Sequence, residues 1–180
     1  MLGITWFGLF HTAISLVAVG AGIVCLVRER EIDTRSGRGK LYIWTTVATC
    51  LTGFGIFHHG GFGKPHVLGV ITLAVLGLAT LAARTTVLGR LSRYVETVSY
   101  SATFFFHLIP GVTETATRLP PGAPLVTGPD APALQRTIGF LFIVFLVGAI
   151  LQVRRIRAAG QSDISVQNMP SYFTQSNRSN

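Results

Sequence analysis

The stretch WFGLFHTAISLVAVGAGIVCLV, residues 6–27, contains no charged side chain. A helix that crosses a bilayer needs roughly 20 mostly apolar residues, and this stretch has that length. Backbone N–H and C=O groups in lipid must find partners inside the segment, so only helices or closed barrels span a membrane. A barrel would show short segments of alternating hydrophobicity, and none are present. Residues 6–27 are therefore expected to form a transmembrane helix, and that expectation sets the class of the chain.

Working outward, the same criterion selects residues 41–57, 66–83, 94–111 and 137–153. The fourth, YVETVSYSATFFFHLIPG, is the least apolar, because it holds Glu96 and several hydroxyls. The expected fold is all-α, a polytopic bundle of five transmembrane helices at about 6–27, 41–57, 66–83, 94–111 and 137–153. Residues 1–157 would form the bundle, and residues 158–180 a polar, mobile cytoplasmic tail. Gly, Pro and charge punctuate the connections, as in RTTVLGRLSR and TETATRLPPGAPLVTGPDAPALQRT. Pro110 followed by Gly111 is expected to bend or end the fourth helix.

Composition agrees. Hydrophobic residues make up 49% of the 180 and charged residues 12%, whereas a soluble domain carries about 25% charged residues. An ordinary cytosolic enzyme and a disordered tail are both excluded. So is a disulfide scaffold, since the only two cysteines, Cys25 and Cys50, fall inside spans as packing residues. The first span lacks a basic leader and is long, so it reads as a retained helix, not a signal peptide.

The formal net charge of +8 comes in short basic blocks between apolar runs, with no continuous basic face. That pattern suits membrane loops, and nucleic acid is not an expected partner. Arg28, Arg30, Arg35, Arg38 and Lys40, then Arg84, Arg90 and Arg93, then Arg154, Arg155 and Arg157 share one side. Lys64, Arg118 and Arg136 share the other. The positive-inside rule makes the first side cytoplasmic, with the N-terminus outside and the C-terminus inside.

The residues with chemical potential are histidines. His11, His58, His59, His66 and His107 all fall towards the outer side of this map. In the first span His11, Ser15, Ala18, Gly22 and Cys25 recur at helical spacing, a stripe of small and polar residues suited to helix contact. In the fourth, Glu96, Tyr100, Thr103 and His107 share one stripe, with Glu114 two turns on. Glu96 and His107 would be costly in lipid, so this helix is expected to lie inside the bundle.

Neutral imidazole ligates haem iron, copper and zinc. His11 and His107 are thus candidate axial ligands of a b-type haem, with His66 as a substitute. The same groups would serve a quinone, with Tyr100 and Thr103 tuning the site and Glu96 relaying protons. A second candidate is a transition-metal site at the outer surface, built from His58, His59, His66 and Glu114. Plainer roles stand beside these: helix-end hydrogen bonding for His58, His59 and His66, packing for His11 and His107, and pairing with Arg93 or Arg90 for Glu96. Trp6, Tyr42, Trp44 and Tyr94 suit an interfacial aromatic belt.

The pattern FHTAISLVAVGAG, a basic loop ending GRGKLYIW, and GKPHVLGVITL resembles an uncharacterised family of bacterial predicted membrane proteins, over residues 9–83. The resemblance implies a bacterial inner-membrane location. In that family the basic loop often has His-Arg before Leu-Gly, where this chain has Ser36-Gly37-Arg38. The plan is also similar, in architecture only, to small b-type membrane cytochromes. The leading expectation is a small redox membrane protein holding a b-type haem or serving a quinone near the outer face. The alternatives are a non-catalytic accessory subunit, meeting a membrane-protein partner or a second copy of itself, and an outer-face metal-binding or transport protein. Whether the chain is an enzyme is left open by the sequence.

Overall fold

A computed structural model of the chain describes residues 5–56, 63–85 and 87–167, with side chains as far as residue 161. Helices α1 (Trp6–Arg28), α2 (Gly37–Gly53), α3 (Lys64–Arg84), α4 (Ser92–Arg118) and α5 (Pro132–Gln167) follow one another, with a 3-10 turn at Gly89–Leu91 before α4. No strand occurs among the described residues. Three helices are long and apolar enough to cross a membrane: α1, α3 and the Pro132–Gln161 part of α5. The all-helical class is thus present, and three of the five expected spans have the length and apolar character to cross.

The helix limits differ from the expected spans where local capping overrides hydrophobicity. Helix α2 starts at Gly37, not residue 41, because the Ser36 hydroxyl accepts from the Gly39 N–H at 2.9 Å. It closes at Gly53, short of residue 57, and its 17 residues span only about 25 Å. Helix α4 does not end at Pro110–Gly111 but runs on to Arg118. Beyond the proline, Thr113, Thr115 and Thr117 donate their hydroxyls to carbonyls one turn back, and Glu114 pairs with Arg118. The helix passes Pro110 without the bond to the carbonyl four residues back that proline cannot donate. Helix α5 opens on Pro132, a first-turn position where proline costs nothing, and continues past Ala158.

Helix α4 is the middle element. It packs on α3, α5 and α1, while the main partner of α1 is α2. Ala18, Gly22 and Cys25 of the α1 stripe are buried, as their spacing implied. A Cβ added at Gly22 would sit 2.5 Å from the Phe104 ring, so glycine there sets how closely α4 approaches α1. Ala21, Cys25, Tyr42, Leu76, Ala79 and Tyr100 form the apolar core, closed at one end by Ile32 from the α1–α2 loop.

That loop, at the basic end, holds the bundle together by polar contacts. Asp33 O accepts from Ser36 N and Ser36 Oγ at 3.1 and 3.0 Å. Burial alone would raise the Asp33 carboxyl, but the Arg35 amide and guanidinium outweigh it and hold the pKa below the ordinary carboxylate value. Its contribution to stability is therefore present above about pH 4 and fades as the pH falls further. Arg30 adopts φ 63, a left-handed conformation that costs a non-glycine residue roughly 1 kcal/mol. Gly39 permits the turn itself: a Cβ there would meet Asp33 O at 1.9 Å. Gly39→Ala is expected to lose on the order of 3 kcal/mol. Gly37→Ala, which faces open space, should change stability by less than about 0.5 kcal/mol. Thermal unfolding in detergent compares the two, and equal midpoints would show that the turn yields freely.

Candidate functional site

The α4 stripe forms one side of a polar seam through the bundle. Tyr100, Thr103 and His107 are buried, and they face hydroxyls of α2 and α3. Thr103 Oγ1 donates its one proton to Tyr100 O at 2.7 Å, so the Tyr42 hydroxyl donates to Thr103, at 2.8 Å. By the same logic Thr80 donates to Leu76 O, and the Tyr100 hydroxyl donates to Thr80 at 3.0 Å. Further along, His107 Nε2 lies 3.1 Å from Thr46 Oγ1, with its ring edge-on to Tyr42. Satisfied hydroxyls are what such a buried seam requires, since an unpaired polar group away from water is costly.

His11 joins this seam from α1. Its Nδ1 is 2.8 Å from Thr52 Oγ1, and Thr52 donates to Ala48 O at 2.7 Å. Thr52 can then only accept from the imidazole, so His11 carries its proton on Nδ1 and Nε2 is the lone-pair nitrogen. Gly53 makes room for the ring, since a Cβ there would lie 3.3 Å from His11 Cε1. His11 and His107 are close enough to interact electrostatically, and so are His11 and Glu114. The first-choice pair from the sequence is thus brought to one neighbourhood, each member held by a threonine of α2.

The other candidates are placed differently. His66 caps α3: the Gly63 N–H donates to its Nδ1 at 3.1 Å, and its ring stacks on Phe54 with 13° between the planes. Glu114 pairs with Arg118 and is 56% exposed. Glu96 is at the basic end, beside Arg93 at 3.3 Å, far along α4 from His107. His58 and His59 lie outside the described residues. Among the described residues no group of three His, Cys, Asp or Glu side chains is arranged to hold a metal ion.

Thr46, Thr52, Thr80 and Tyr42 are members of the seam that the histidine pattern does not mark. Tyr42 was expected in the aromatic belt, but it is fully buried, whereas Trp6 and Trp44 are 88% and 71% exposed. The signal was present: Tyr42, Thr46 and Thr49 recur at steps of four and three, the same polar stripe as on α4. No family model matches the chain, and no curated protein or solved structure is significantly similar to it. The likeness over residues 9–83 therefore brings no function with it.

Proposed function

We propose that this is a small membrane redox protein that serves a quinone at the histidine end of the bundle, with His11 as the group that meets it. One observation carries the reading: His11 is held through Nδ1 by Thr52, which leaves Nε2 as an acceptor, while His107 is held by Thr46 of the same helix. A fixed imidazole with an acceptor nitrogen can accept a hydrogen bond from a hydroquinone hydroxyl and take its proton when a one-electron acceptor carried by a redox partner protein withdraws the electrons. The basic end would face the cytoplasm by the charge rule. Helices α2 and α4 would cross with the other three, and the site would open on the outer side of a bacterial inner membrane.

A b-type haem held by His11 and His107 is the second form of this reading. It asks more of the seam, because His107 Nε2, a usual iron-binding nitrogen, is engaged with Thr46. An accessory-subunit role has a separate support: none of the apolar window of α5 is buried, and α4 is the one helix it packs on among the described residues. That face is free for a partner helix. The metal-binding reading rests on His58 and His59 and gains nothing from the described residues.

Detergent-purified protein from haem-replete cells separates these readings. The quinone reading expects no Soret band and a saturable rise of a few degrees in unfolding temperature with a short-chain quinone. His11→Ala should abolish that rise. A Soret band that sharpens on reduction and vanishes in His11→Ala would replace quinone by haem. Neither pigment nor quinone binding would defeat both forms and leave the accessory role.

A further inference from the structure

At the basic end, away from the histidines, the loop after α1 and the first turn of α4 meet the membrane exit of α5. They enclose a cleft of about 330 Å³ lined by Arg30, Glu31, Arg93, Gln152, Arg155, Ile156 and Ala159. Its charges are unequal in their partners. Arg93 is neutralised by Glu31 at 2.6 Å and by Glu96. Arg30 makes no ion pair among the described residues, and Arg155 donates only to the Glu29 carbonyl at 3.2 Å. Arg30, Arg93 and Arg155 outnumber the carboxylates Glu31 and Glu96 by one, and Arg30 and Arg155 have no carboxylate of their own among the described residues.

The cleft is also built in place. Gln152 accepts from Ser101 on α4 and donates to the Arg30 carbonyl at 2.9 Å, tying α4, α5 and the loop together. Arg30 is held in its left-handed conformation, a strained backbone where glycine would sit more easily. Depth completes the picture. The uncharged run of α1 ends at Val27 and that of α5 at Val153, so Arg30 and Arg155 stand where two spans leave the apolar layer. Ile156 continues an apolar wall from that layer into the cleft.

We infer that this cleft binds a phosphate-bearing headgroup, that of an anionic phospholipid from the surrounding leaflet, with Arg30 and Arg155 as its counter-charges. Guanidiniums bind phosphate through paired N–H donors, and basic pockets between spanning helices at the cytoplasmic face suit such headgroups. The inference is independent of the redox reading, since it uses no residue of the histidine end.

The test uses the full chain in a neutral detergent, titrated with phosphatidylglycerol or phosphatidylcholine, with bound lipid counted by native mass spectrometry. One phosphatidylglycerol should be retained in preference to phosphatidylcholine. Arg30→Gly and Arg155→Gln should each weaken retention on the order of tenfold. Arg30→Gly relieves the left-handed strain, so its unfolding temperature should hold or rise, and lost binding cannot be ascribed to misfolding. Arg157→Gln, outside the cleft lining, should leave retention unchanged. Glycerol phosphate is the second arm: if it displaces the lipid at millimolar concentration, the site takes a soluble phosphate ester as well. Equal retention by Arg30→Gly and the unaltered protein would overturn the inference. So would an equal loss with Arg157→Gln, which would mean diffuse attraction to the basic end.

Discussion

Arg93→Ala is expected to be the most damaging loss of a charge at the basic end, lowering stability by about 2 kcal/mol. Both Glu31 oxygens lie 2.6 Å from Arg93 Nη2, and Glu96 is reached through Nη1 at 3.3 Å. Removing the guanidinium leaves two carboxylates facing each other with side-chain exposures of 21% and 13%. Breaking a fully buried pair costs roughly 3–5 kcal/mol, because the orphaned charge keeps its desolvation penalty. Arg93 itself is 37% exposed, so water screens part of this and the lower figure applies. Glu31→Gln in the Arg93→Ala background should then recover stability, since it removes one of the two stranded charges. Denaturant unfolding of the four proteins of that cycle measures the coupling. A loss below about 0.5 kcal/mol for Arg93→Ala would mean that the cluster is solvated and does not clamp the loop.

That clamp also shows where the sequence speaks and where it falls silent. Charge-free runs such as residues 6–27 fix a helix with little ambiguity, because lipid leaves the backbone no alternative. Helix ends depend on single hydrogen bonds, so Ser36 moved the start of α2 while hydropathy pointed to residue 41. The inner position of α4 was legible from the cost of Glu96 and His107 in lipid, and the buried stripe bears this out. The pairing of that stripe was not legible. Hydroxyls at every third or fourth position mark a face, but they do not say which helix receives it. Hence His107 and His11 stood out while Thr46 and Thr52, which orient them, did not. Glu96 read equally as a relay or as a partner of Arg93, and only the approach of the α1–α2 loop placed Glu31 and Arg93 around it.

The seam makes its strongest prediction at Tyr42. Tyr42→Ala should cost about 3 kcal/mol and should loosen the histidine end, while Tyr42→Phe should cost less than about 1 kcal/mol. The ring is fully buried and lies between Phe104, with centroids 6.5 Å apart, and His107, at 6.1 Å. Emptying such a volume removes contacts that neighbouring helices recover only in part. Lipid is as apolar as a core, so the driving term in a membrane is packing, which alanine removes and phenylalanine retains. The hydroxyl matters less. Thr103 keeps its own donation to Tyr100 O when Tyr42 is replaced by phenylalanine, and it loses only an incoming bond. Hydrogen bonds between spanning helices average roughly 0.6 kcal/mol. Unfolding of both variants in one detergent gives the ratio, and the expected order is alanine well below phenylalanine. If the two fell equally, the hydroxyl chain and not the ring would hold α2 to α4. His11, anchored on α2 through Thr52, would then owe its place in the bundle to that chain of bonds.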